Sequence, residues 1–235
     1  MGSSLNYFLD VNSYAVALMQ QGKSAKASHC LKLAVLRLQA QMAQTAHKTS
    51  EFLPPQDEDS AYIYGAVYSV PVISNLNASL FQDSDSIFSV YMHALDVDED
   101  AAPELSLSTL SVILLYNLGL SLLIQAAQPK QIDKPRLESA VRLWQYTMNM
   151  IKDMWRTGTG RVGLLFPAMA IANNLGYVHS VMQDNHKTQD CMTCVVNLVR
   201  YELSTETVPE PDFQFFHNNT CMFACGFQVN TAAAA

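Results

Sequence analysis

The chain has 235 residues, 49 % apolar and 15 % charged, enough apolar material for one sizeable core and too little charge for a disordered chain. Its net charge of −7, with no run of five or more basic residues, excludes wholesale binding to nucleic-acid phosphates and fits a protein or peptide partner better.

The N-terminal stretch MGSSLNYFLDVNSY lacks a basic region followed by an apolar one, so no signal peptide is read, and a cytoplasmic or nuclear chain is expected. Cys30, Cys191, Cys194, Cys221 and Cys225 are an odd number in such a chain, so disulfides are not expected. The sequons at Asn77 and Asn218 are then without consequence, and Gly2 lacks the Ser or Thr that acylation wants where Asn6 stands.

Apolar residues at helical spacing predict helices over 11–21 and 24–45, parted at Gly22. Residues 49–104 read as an insertion. It opens with the loop TSEFLPPQDEDS, carries strand-like runs at Tyr62–Val70 and Ile87–Met92, and closes with the acidic DVDEDAAPE. Asp96, Asp98 and Asp100 resemble the start of a calcium loop, but Ala101 stands at the turn glycine and Leu107 at the closing glutamate. A solvated acidic turn that caps the next helix is expected instead.

A second helical pair spans 106–128 and 135–156, split by QPKQIDKP. The uncharged run Leu105–Gln128 is long enough to cross a membrane. Ser106, Ser108, Thr109, Ser111, Asn117, Ser121 and Gln125 interrupt it, which favours a helix buried in a soluble bundle. A third pair spans 167–183 and 187–203, and Phe213–Phe227 reads as strand-like. The reading is one mainly α domain: pairs at 11–45, 105–156 and 166–204, the insertion 49–104 and a C-terminal segment 205–235. A small β element is expected from 60–95 and the C-terminal segment.

The three pairs align on their small residues. Ala27, Leu31 and Ala34 follow Ala15 by twelve, sixteen and nineteen residues, and Thr188, Met192 and Val195 follow Gly176 by the same intervals. After the longer turn of the second pair, Ala140, Trp144 and Thr147 follow Gly119 with the same four-then-three spacing. Small residues let antiparallel helices approach closely, and the larger ones fill the groove. Such pairs must stack, since none buries its apolar face alone.

This pattern resembles the tetratricopeptide repeat, with Leu118-Gly119 and Leu175-Gly176 followed by Ala or Thr and a bulky residue on the second helix. The leading Trp and the closing Pro of that family are absent, and the insertion after the first pair is long. The resemblance implies an α-solenoid whose first helices line a groove for a peptide. It places Asn12, Val16 and Met19, Tyr116, Asn117 and Leu120, and Asn173, Asn174 and Tyr177 in that groove. Asparagines there suit hydrogen bonding to a peptide backbone, with turn caps or solvent-facing side chains as the equally weighted plain reading. Ala170 and Asn174 stand where the branch that grips acidic tails has basic residues, so the partner is not expected to be such a tail.

Two readings from other classes compete. His179, His186, Cys191 and Cys194, with Cys221 and Cys225, offer soft ligands for zinc, in a small metalloprotein or enzyme. The apolar run 105–128 offers a membrane association. Cys191 and Cys194 lie mid-helix in an apolar pattern, where free thiols pack as small hydrophobes, so no metal or cofactor is assigned. Gly158, Gly160 and Gly163 match a dinucleotide fingerprint but follow a predicted helix instead of a strand. No catalytic motif appears, and a binding protein, not an enzyme, is expected.

Overall fold

The computed structural model describes residues 2–48, 66–72, 89–98, 105–128, 131–158, 163–203, 205 and 207–232. Among these, seven helices and two small two-stranded antiparallel sheets form the fold. Helices α1 (Gly2–Gln20) and α2 (Ser24–Lys48) are followed by β1 (Val67–Pro71) and β2 (His93–Val97). Helix α3 (Leu107–Ala126) is joined through β3 (Ala127–Gln128) and β4 (Gln131–Ile132) to α4 (Lys134–Arg156). Helices α5 (Leu165–Val181), α6 (Asn185–Glu202) and α7 (Glu210–Ala232) complete the chain. Each helix packs on the next in chain order, and β2 lies against α1 and α3.

The small residues sit where the helices cross. Ala15, Ala27 and Ala140 are fully buried. A Cβ on Gly119 would lie 2.2 Å from the indole nitrogen of Trp144, so the ring of α4 rests directly on the α3 backbone. The same indole donates to Tyr116 O at 3.2 Å. Gly176 meets Met192 in the same way, at a looser 3.1 Å from its sulfur. Trp144 and Met192 therefore cover the glycine of their own pair.

The first and third pairs also turn alike. Lys23 N–H donates to Leu18 O and Gly22 N–H to Met19 O, with Gly22 at φ 71°. Asp184 N–H donates to His179 O and Gln183 N–H to Ser180 O, with Gln183 at φ 60°. Both are paired closures of a helix C-terminus around one left-handed residue, seven positions beyond Ala15 and Gly176. The longer turn of the second pair runs through the β3–β4 ladder.

Several expectations are corrected. Helix α1 begins at Gly2, not near residue 11. Phe213–Phe227 is helical within α7, because Asp212, Phe216, Asn219 and Thr220 are buried at helical spacing on one face. The buried Glu202 fixes the approach to α7, its carboxylate accepting from Val208 N–H at 2.5 Å and Thr207 O–H at 2.6 Å. The second strand runs over 93–97, not 87–92, and β1 covers only the end of Tyr62–Val70; residues 62–65 and 87–88 lie outside the described residues, as does 49–60. Asp96 is buried in β2 and is no solvated turn, and Ser106, accepting from Thr109 N–H at 3.0 Å, caps α3. Asp100 and Ala101 lie outside the described residues.

Candidate functional site

Antiparallel pairing fixes which way the main chain of 89–98 points. Asp98 N–H donates to Ala66 O and Val72 N–H to Met92 O, so the even-numbered residues of this segment turn their backbone groups toward β1. The odd-numbered residues turn theirs the other way, toward the helices. A buried backbone N–H or C=O there needs a partner. Asparagine supplies one of each from a single side chain.

Three asparagines do so, each on a different helix. Leu95 N–H donates to Asn117 Oδ1 at 2.9 Å, and Asn117 Nδ2 donates to Leu95 O at 2.7 Å. Tyr91 N–H donates to Asn174 Oδ1 at 2.8 Å, and Asn174 Nδ2 donates to Tyr91 O at 3.0 Å. Ser89 N–H donates to Asn219 Oδ1 at 3.1 Å, and Asn219 Nδ2 donates to Ser89 O at 2.7 Å. His93 O accepts from the Tyr116 hydroxyl at 2.8 Å. Side chains of α3, α5 and α7 thus stand in for a third strand beside β2.

A second row supports the first. Asn117 Nδ2 donates to Asn12 Oδ1 at 2.8 Å, and Asn12 Nδ2 donates to Leu95 O and to Asp96 Oδ1, both at 3.0 Å. Asn219 Nδ2 donates to Asn173 Oδ1 at 2.8 Å, and Asn173 Nδ2 donates to Ser89 O at 3.1 Å. Asn117 and Asn174 lie two residues before the crossing glycine of their helix; Tyr116 and Asn173 lie three before theirs, and Asn12 three before Ala15. Ser13, two before Ala15, donates to Asp96 Oδ1 at 2.9 Å. One pair of helical positions, repeated along the odd-numbered helices, grips one extended segment.

The segment's side chains are held too. Tyr91 is fully buried among Phe166, Phe215 and Phe216, with ring centroids 4.8–6.3 Å away, and its hydroxyl donates to Asp212. Burial raises the phenol far above its ordinary range, with Tyr116 and Asp212 adding to the shift, so it remains a neutral donor. Burial does the same to Tyr116. His93 Nδ1 lies 3.6 Å from Asp212 Oδ1. Burial pushes the imidazole pKa down more than Asp212 pushes it up, favouring the neutral ring. Ala94 and Leu95 are fully buried, and the Asp96 carboxylate has Asn12, Ser13 and Val97 N–H as donors.

All nine residues assigned to a peptide groove are buried. Asn12, Tyr116, Asn117, Asn173 and Asn174 converge on residues 89–96 of the same chain. Val16, Met19, Leu120 and Tyr177 are core residues. Asn219 was missed because α7 reads as strand. Its signal is Asn219-x-Cys221, which matches Asn117-x-Gly119 and Asn174-x-Gly176.

The competing sites look different. Among the described residues, no three His, Cys, Asp or Glu side chains are close enough to hold a metal ion. Burial raises the Cys191 thiol to about 12 and also raises Cys194. His179 is a buried core residue, and His186 is exposed and pairs with Asp190. Gly158, at φ 80°, follows helix α4, and residues 159–162 lie outside the described residues. Helix α3 is long and apolar enough to cross a membrane, yet 83 % of its most apolar window is buried inside the protein. No protein family, curated protein or solved structure matches this chain.

Proposed function

We propose that this chain is a protein–protein interaction scaffold of tetratricopeptide-like helix pairs, acting by binding and not by catalysis. Its odd-numbered helices form a solenoid-like inner face that holds an extended peptide by its main chain. One observation carries this: three asparagines on three helices each bond both the N–H and the C=O of one residue of an extended segment. Strand addition to a sheet edge uses the same main-chain bonding, with alternate side-chain pockets for specificity. Residues 89–97 occupy this face in cis, and a partner's segment takes their place in trans. The setting is the cytoplasm or nucleus.

Two variants with opposite expected effects test the reading. Tyr91→Ala loosens the internal segment and leaves the asparagines intact. Asn174→Ala removes a clamp. Each is confirmed as folded by circular dichroism before affinity capture from native lysate. A set of proteins enriched on Tyr91→Ala and depleted on Asn174→Ala, relative to wild type, supports the scaffold. Identical capture by all three refutes it.

A further inference from the structure

Asn117, Asn174 and Asn219 touch the segment only through its backbone, so they give grip without selectivity; selectivity must come from the pockets along the segment and from the donors at Asp96. Those pockets differ sharply. At Tyr91 the ring enters a cage of Phe166, Phe215 and Phe216, and the hydroxyl reaches Asp212, buried in the first turn of α7. A phenylalanine would fill the cage and leave Asp212 without that donor. At Ala94, three residues on, the site is closed, with no exposure left for a larger side chain. Leu95 is enclosed in the same way. At Asp96 the site offers the Asn12 amide and the Ser13 hydroxyl, two side-chain donors aimed at one carboxylate oxygen. His93, in contrast, is partly exposed and held chiefly through its carbonyl.

We infer that the ladder's partner is an extended peptide carrying tyrosine, then a small residue three positions later, then a leucine-sized aliphatic and an acid in succession: Tyr-x-x-small-aliphatic-acid. Resting on the scaffold reading above, this makes residues 91–96, Tyr-Met-His-Ala-Leu-Asp, the chain's own copy of the motif that it reads in others. The tethered copy holds the face at a high effective concentration, so a free peptide competes poorly with it until that copy is weakened.

The test uses the full-length chain with its internal copy weakened by Tyr91→Ala, or more gently by Tyr91→Phe. The probes are synthetic peptides of residues 89–98, SVYMHALDVD, as the natural sequence, with Tyr replaced by Ala, with Asp at the sixth motif position replaced by Lys, and scrambled. Binding is read by fluorescence anisotropy and by the melting temperature. The natural peptide is expected to raise the melting temperature of both variants with concentration. The Tyr→Ala and Asp→Lys peptides should bind about tenfold weaker or worse, as truncation of a buried anchor does. If Tyr91→Ala alone is unfolded, the natural peptide should restore its helical circular dichroism, and Tyr91→Phe supplies the affinities. Equal binding of the natural and substituted peptides, with the scrambled one also bound, would overturn the motif and leave a backbone-reading scaffold standing. No binding of any peptide to a folded Tyr91→Phe or Tyr91→Ala chain would remove the scaffold reading and the motif together.

Discussion

Asn117 and Asn12 touch each other and the same carbonyl, yet their loss should not be equivalent. Replacing Asn117 by Ala strips Leu95 N–H of its acceptor and leaves Asn12 Oδ1 without the Nδ2 that donates to it. Leu95 O keeps its bond from Asn12. Two buried polar groups are orphaned. Each costs about 1–3 kcal/mol, so Asn117→Ala should destabilise the fold by roughly 2–6 kcal/mol. Replacing Asn12 orphans only one N–H of Asn117, because Leu95 O retains Asn117 and Asp96 Oδ1 retains Ser13 and Val97. The expected loss there is about 1–3 kcal/mol. Both asparagines are fully buried and lose the same atoms, so the difference between the two variants reports chiefly on the orphaned groups. Urea unfolding followed by circular dichroism at matched m-values measures the difference. An Asn12→Ala loss equal to or above that of Asn117→Ala would refute the bond assignment.

The crossing glycines should separate just as clearly. Gly119→Ala drives a Cβ into the Trp144 indole and should cost about 1–3 kcal/mol of overpacking, despite a gain in helix propensity of up to about 1 kcal/mol. Gly176→Ala meets the flexible end of Met192 at 3.1 Å and Cys191 Cβ at 3.3 Å, both far looser than the Trp144 contact, and should cost clearly less than Gly119→Ala in thermal melts; equal losses at both would show the α3–α4 crossing to be misjudged. Stability should fall as pH drops from 7.5 to 5.5. His93 and His179 have folded-state pKa values pushed below the ordinary 6.5 by burial, so the unfolded chain binds more protons in the window below 6.5. Denaturation midpoints should lose that slope in a His93→Gln, His179→Gln double variant, and an unchanged slope would assign it elsewhere. Alkylation at pH 8 mapped by mass spectrometry should modify the exposed Cys221 and Cys225 well before Cys191 and Cys194, whose thiols burial keeps protonated. Equal rates would contradict the packing of α6.

The sequence made the helix pairs and their crossings legible because those signals are local. Three- and four-residue spacing identified Ala27, Ala140 and Thr188, and each is buried. It also offered Asn12, Asn117, Asn173 and Asn174 either as groups for a partner's peptide backbone or as turn caps and solvent-facing residues; all four are buried against the chain's own segment. What it hid was their partner. Asn12 and Asn174 bond to residues 83 positions away, and Asn219 to one 130 away, distances over which no periodicity carries information. Phe213–Phe227 misled because aromatics favour strands in isolation, whereas one buried stripe decides for a helix once α6 is there to pack against. Asp96 misled because three nearby acids read as surface, while Asn12 and Ser13, far away in sequence, were waiting for one of them.

Arrays of stacked helix pairs ordinarily behave like a row of dominoes, each unit leaning only on its neighbours, so that one end can fray while the other stays folded. Here one short segment runs past the ends of the row, bonded to Asn12 on the first helix and to Asn219 on the last. Losing α7 releases Ser89, and through the same strand the disturbance reaches α1. The first and last helices therefore share one strand, and their stabilities are coupled more tightly than stacking of neighbours alone would make them.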